Sequence, residues 1–143
     1  MIASELRTLI TLGKRAYDQA MEPVCARHEI TRMELDVLLF LANNPGHDTA
    51  AELVSLRGLT KSHVSAAVAT LTERGLLTGS HRGGNRKTIH LAPLPAAQAI
   101  IVDGRAAQQQ LYAALLQGFT PAERALLQRA GDRFVQNLYK VLE

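Results

Sequence analysis

Between Arg57 and His90 the sequence gathers six cations, Arg57, Lys61, Arg74, Arg82, Arg86 and Lys87, against one acid, Glu73. That stretch carries +5 while the whole chain carries +3, so the remainder sums to −2. A basic segment on an otherwise slightly acidic chain is the electrostatic footprint of a phosphate-binding surface. Small polar side chains stand among the cations: Ser62, His63, Ser65 and Thr70, interleaved with Ala66 and Ala69. Hydroxyls donate or accept, an imidazole can approach a purine, and an alanine methyl can meet a thymine methyl, so this mixture suits base edges in a groove. A solvated charged face is the plain alternative, and charge clustering alone does not separate the two.

Other chemistries find less support. A single cysteine, Cys25, rules out an intramolecular disulfide framework. The five histidines, His28, His47, His63, His81 and His90, include no i, i+4 pair, so neither a metal site nor a cofactor is expected. Ser62 and His63 are neighbours on a helix and point apart, with no orienting acid after them, which argues against a catalytic pair and against enzyme activity. The segment Met1-Ile2-Ala3-Ser4-Glu5-Leu6-Arg7 lacks the apolar run of a signal peptide, and no stretch approaches the roughly 18 apolar residues of a membrane span. The expectation is a soluble cytoplasmic protein without a membrane partner. With 47% apolar residues the chain can bury a core without staples.

The elements that must position the basic segment follow from periodicity and caps. Residues 2–28 predict one long helix, with Leu6, Leu9, Ile10, Tyr17, Met21 and Val24 at three- and four-residue steps and Gly13 weakening its middle. Thr31 and Glu34 read as a capping box, with Ile30 and Leu35 as its hydrophobic staple. The second helix then faces Leu35, Leu38, Leu39 and Ala42 inward and stops at Asn43-Asn44-Pro45-Gly46. Thr49 and Glu52 form another box, opening a short helix that carries Leu53, Val54 and Leu56 to Gly58. Thr60 caps the next, with Val64, Ala67, Val68 and Leu71 on one face, and it stops at Gly75. Two helices joined by a three-residue turn containing glycine make a helix-turn-helix.

From Leu76 the period changes. Residues 76–81 and 87–91 predict two strands around a turn at Gly83-Gly84-Asn85, with Leu77, Ile89 and Leu91 covering the core and Arg82, Arg86 and Lys87 at the tip. Pro93 and Pro95 break the chain before a helix from about Ala96 to Gln117. Thr120-Pro121-Ala122-Glu123 opens a last helix striped by Leu126, Leu127, Ala130, Phe134, Leu138 and Val141. Apolar stripes this long on terminal helices exceed what a core of some sixty residues covers, so homodimerisation is expected. The fold class is mainly α with a small β-hairpin: a winged helix-turn-helix at residues 31–95, flanked by dimerisation helices at 1–30 and 96–143 in a single domain.

The chain resembles the MarR family of winged-helix transcription regulators. The resemblance rests on Ile30-Thr31-Arg32-Met33-Glu34-Leu35, Leu38, Leu41, Pro45-Gly46, Ala51-Glu52-Leu53, Gly58-Leu59-Thr60-Lys61-Ser62, Val64-Ser65, Leu71, Glu73-Arg74-Gly75-Leu76-Leu77 and the wing Asn85-Arg86-Lys87, in that order and spacing. It implies a homodimeric, ligand-responsive regulator of double-stranded DNA, most often a repressor, reading a pseudo-palindrome through a recognition helix at 61–74 and a wing at 78–91. The DNA-facing set is then Lys61, Ser62, His63, Ser65, Ala66, Ala69 and Thr70 on the helix, with Arg86 inserted in a minor groove and Arg82 and Lys87 on flanking phosphates. A small-molecule effector would enter between the terminal helices and the winged helix.

Two departures stand out. The family's wing usually reads Asp-Arg-Arg, and its Leu-Thr-x-x-Gly after the wing is here Leu91-Ala92-Pro93-Leu94-Pro95. Members often carry Arg near Ala66 and Thr70, so the helix is expected to read fewer base edges. One branch senses hydroperoxides through a first-helix cysteine, but that cysteine lies about four turns further upstream than Cys25, which is expected to pack. A winged-helix module for protein assembly without specific DNA binding is the alternative, and a carrier or enzyme using the dimer cleft is the third.

Overall fold

The first helix buries only its C-terminal half. In the computed structural model, which describes residues 3–143, α1 runs Ala3–His28; Ile2, included in the expected helix, lies outside the described residues. Met21 and Val24 are buried, whereas Leu9, Ile10 and Leu12 are more than half exposed. Pro23 stands inside α1, a missing donor that hydrophobic periodicity does not reveal. The helix ends at Glu29, whose φ of 52° lies in the left-handed region, at a cost of about 1 kcal/mol for a non-glycine residue. Arg74 braces that junction by donating to the carbonyls of Glu29 (2.8 Å) and His28 (3.1 Å).

Helix α2, Arg32–Asn43, is the centre of the fold. Leu35 and every residue from Val37 to Leu41 are buried, a wider face than the inward stripe expected, while Ala42 is only partly covered. Thr31 caps it by accepting from the Glu34 amide at 3.2 Å. The return half of the expected box is absent: Glu34 turns into the protein, 6% exposed, with its Oε2 unpartnered.

The remaining helices of the winged-helix body are short. Helix α3, Ala50–Arg57, has the complete Thr49/Glu52 box and buries Leu53, but Leu56 points out rather than in (37% exposed). Gly58 adopts φ 63° in the turn and lets the chain reverse into α4, Lys61–Glu73, which buries Val64, Ala67 and Leu71. Strands β1, Leu77–Arg82, and β2, Asn85–Pro93, pair antiparallel from Leu77↔Pro93 to Arg82↔Asn85, with an irregularity between Ser80 and Arg82. The turn is thus Gly83-Gly84, and Asn85 belongs to β2 instead of the turn. Leu77 and Leu91 reach the core; Ile89, expected beside them, is 44% exposed because the hairpin projects past the body before that residue.

After a single 3₁₀ turn at Pro95–Ala97 comes α5, Gln98–Leu115, later in onset and shorter than the helix expected over 96–117. Gly104 permits its close approach to α2: a Cβ there would fall 2.8 Å from Leu39 Cδ2. Arg105 holds the carbonyl end of α2, donating to Ala42 O (2.7 Å) and Asn43 Oδ1 (2.9 Å).

The chain divides within α5 into two units, one ending at Gln109 and one running from Gln110 to Glu143. In the second, Leu116 is buried and Arg124 donates to the carbonyls of Leu116 and Phe119. Its α6, Pro121–Leu142, opens with the expected Thr120/Glu123 box and Pro at N1, and buries no residue.

Candidate nucleic-acid interface

Helix α4 presents its N-terminal turns to solvent because its apolar side is fixed by Val64, Ala67 and Leu71. Lys61, Ser62, His63, Ser65, Ala66, Ala69 and Thr70 are all exposed on the opposite faces. Thr60 Oγ1 accepts from the His63 amide at 3.3 Å and lies 3.5 Å from Ser62 Oγ. No acid occupies the first turn, so nothing there offsets the positive end of the helix dipole. This surface combines a cation, two hydroxyls and an imidazole with two methyls.

The wing is organised by Asn85. Its Oδ1 accepts from the amides of Lys87 (3.0 Å) and Thr88 (3.3 Å), and its Nδ2 donates to Thr88 Oγ1 (3.1 Å). The amide therefore shapes the backbone under Arg86 and Lys87, and its Nδ2 donates where the family's usual aspartate could only accept. Both cations are exposed, and among the described residues neither side chain forms a hydrogen bond or ion pair. A cleft of about 500 Å³ separates helix from wing, lined by Val54, Lys61, Ser65, Lys87, Thr88 and Ile89 among others.

The six cations of the basic segment thus divide. Arg74 is spent on the α1 junction, Arg57 lies over the Phe40 ring at 5.3 Å, and Arg82 pairs with Asp48 at 2.8 Å. Lys61, Arg86 and Lys87 keep free heads, and Lys61 and Lys87 line the cleft from its two sides.

Asp48 is a residue the sequence reading missed. Its carboxylate holds Arg82 and lies 2.8 Å from His90 Nδ1, and these hydrogen bonds, His90's foremost, hold its pKa below the usual carboxylate range. Its partners are 34 and 42 residues away, and no local spacing signals them.

A second cleft, about 210 Å³, lies among α1, α2, α3 and α5, lined by Tyr17, Arg32, Asp36, Phe40, Arg57 and Gln108 with their neighbours. Arg32 stacks on Tyr17 at 4.5 Å and donates to Asp36 at 3.1 Å, and Gln108 donates to the Tyr17 hydroxyl at 2.8 Å. Burial pushes the Asp36 carboxyl up, against the pull of the Arg32 guanidinium. Cys25 is partly covered, and burial raises its thiol pKa, which suits packing better than nucleophilic chemistry. Among the described residues no cluster of His, Cys, Asp or Glu could hold a metal, and no helix is long and apolar enough to cross a membrane.

Residues 28–87, from the end of α1 to the wing, match a family model described as the MarR family. This winged helix is similar to that of the MarR family. Every DNA-facing residue expected from the sequence falls within the matched MarR segment. Solved MarR-type structures extend the likeness to nearly the whole chain. The transcriptional regulator PA3341 superposes with a TM-score of 0.80 at 24% identity, covering 94% of this chain and 98% of its own. A MarR family transcriptional regulator from Listeria monocytogenes, complexed with a 26mer DNA, gives 0.78 at 19%, covering 93% and 87%. Bordetella bronchiseptica BpsR, whose DNA binding is regulated by 6-hydroxynicotinic acid, gives 0.62 at 20%, covering 90% and 98%. At these identities the likeness is one of fold: six helices and a wing in the MarR order. No curated protein matches the chain.

Proposed function

We propose that the chain is a homodimeric transcription regulator, a repressor that binds double-stranded DNA and is released by a small-molecule effector. The observation that carries this is the juxtaposition of an acid-free, exposed N-terminal face on α4 with two unpartnered cations on the adjoining wing. Ser62, His63, Ser65, Ala66, Ala69 and Thr70 read base edges, Lys61 and Lys87 meet phosphates, and Arg86 enters the minor groove. Arg82 stands at the same edge but is already engaged by Asp48. The DNA complex of the Listeria relative supports the same use of the fold here.

Dimerisation supplies the second half of a pseudo-palindromic site, with half-sites about 34 Å apart. It rests on the apolar side chains that α1 and α6 each leave exposed, among them Leu9, Ile10, Leu127 and Phe134. The effector occupies the cleft lined by Tyr17, Arg32, Asp36 and Arg57. Arg57 ends α3, so a ligand there bears on the helix-turn-helix and shifts the population able to bind DNA. BpsR's regulation by a small aromatic acid supports this reading.

The test is DNA retention. Genomic fragments retained by the purified protein define the operator; Arg86→Ala with Lys87→Ala should weaken operator binding and flatten its salt slope by about 1 to 2. An unchanged affinity and slope would refute the wing assignment, and salt-insensitive binding by the unsubstituted chain would favour an assembly module instead.

A further inference from the structure

The loop before α3 is fastened to both strands of the wing through one residue. Asp48 Oδ2 accepts from Arg82 Nη2 on β1 at 2.8 Å, and Asp48 Oδ1 lies 2.8 Å from His90 Nδ1 on β2. A carboxylate only accepts, so His90 presents Nδ1–H to it. The Asp48 carbonyl accepts from the Leu91 amide at 2.7 Å, and Thr49 forms an isolated antiparallel bridge with His90. The hairpin has no other strand beside it among the described residues, and this clasp ties it to the loop before α3.

The clasp is uneven. The Asp48 and His90 side chains are 25% and 20% exposed, whereas Arg82 is 68% exposed. Its guanidinium therefore sits on the outer surface at the end of β1, close in sequence to Arg86 and Lys87, yet its charge is already answered. A free cation at that edge would add a phosphate contact on any sequence alike.

We propose that Asp48 is a specificity-determining residue: it fixes the wing against α3 and keeps Arg82 off DNA phosphates, so that binding to random sequence stays weak. The proposal rests on the DNA-binding reading above. Asp48 contacts no base. It limits the sequence-independent share of affinity and sets the posture from which Arg86 and Lys87 reach the duplex.

The experiment is a salt titration of binding to a mixed-sequence duplex, with the retained genomic fragments as the specific probe. Asp48→Asn should raise affinity for the mixed duplex several-fold and steepen its salt slope by about 0.9, the value of one further phosphate contact. The ratio of specific to mixed-sequence affinity should fall. Arg82→Gln alone should leave the mixed-duplex slope unchanged, and combining it with Asp48→Asn should restore the unsubstituted slope. An unaltered slope in Asp48→Asn overturns the proposal. So does a slope flattened by about 0.9 in Arg82→Gln alone, which would make Arg82 a working phosphate contact. If the unsubstituted chain binds duplex DNA without salt dependence, the DNA-binding reading itself fails and takes this proposal with it.

Discussion

Helices α2 and α6 have similar apolar periodicity and opposite fates. Of α2's twelve residues seven are buried, including Leu35, Leu38 and Leu39; α6, nearly twice as long, buries none. Leu126, Leu127, Phe134, Val135, Leu138 and Tyr139 on α6 are each 46–59% exposed. An apolar stripe stabilises only where it meets another surface. In α2 that surface is the same chain, so α2 carries the stability of the monomer. In α6 the stripe is left exposed, and on the proposed homodimer it is the partner chain that covers it, so α6 would carry association. On that proposal the two helices divide folding from assembly, and substitutions in each should separate the two.

The largest effect is expected on α6. Leu127→Glu with Phe134→Glu should convert the dimer to monomer by light scattering and lower operator affinity about a hundredfold or more, through loss of the linked half-site. Retention of the dimer would break the comparison. Next in size, Leu38→Ala should cost about 2–5 kcal/mol in urea unfolding, since Leu38 is fully buried on α2. A cost under about 1 kcal/mol would mean that α2 is not the centre of the core.

Smaller still, Thr60→Ala removes the acceptor for the His63 amide and should cost about 1 kcal/mol of stability. It should also weaken DNA binding more than the same change at Thr49, whose helix presents no recognition surface. Equal effects on DNA binding would argue against α4 as reader. The smallest effect concerns pH. Asp48's pKa is lowered in the folded chain, chiefly by the His90 hydrogen bond and further by Arg82. Its contribution is therefore present above the unfolded aspartate value of about 3.9 and is lost as pH falls through the lower folded value. An NMR titration should place the Asp48 midpoint below about 3.9, with His90→Ala raising it more than Arg82→Gln does. A midpoint at or above the free value would remove the clasp.

Much of this was legible because it is local. Thr49 with Glu52 and Thr120 with Glu123 form their boxes three residues apart, and the glycine turns and apolar steps place all six helices and the wing within a few residues. The same local logic failed at Thr31, where Glu34 satisfies the spacing but is turned inward, and at Ile89, where alternation is kept but the core ends at Leu91. In both cases the pattern identifies a face without saying how far the neighbouring body extends.

The exposure of the expected DNA-facing residues follows from the sequence, because the apolar steps of α4 commit Val64, Ala67 and Leu71 inward and leave the rest out. Which cations are free does not follow. Arg74 closes α1 from 45 residues away and Arg105 closes α2 from 63, each by reaching a helix's unsatisfied carbonyl end. Asp48 takes Arg82 across 34 residues. Composition counts six positive charges between Arg57 and His90. Tertiary structure alone decides which of them still face solvent unpaired, because an ion pair depends on distance in space and the sequence records only distance along the chain.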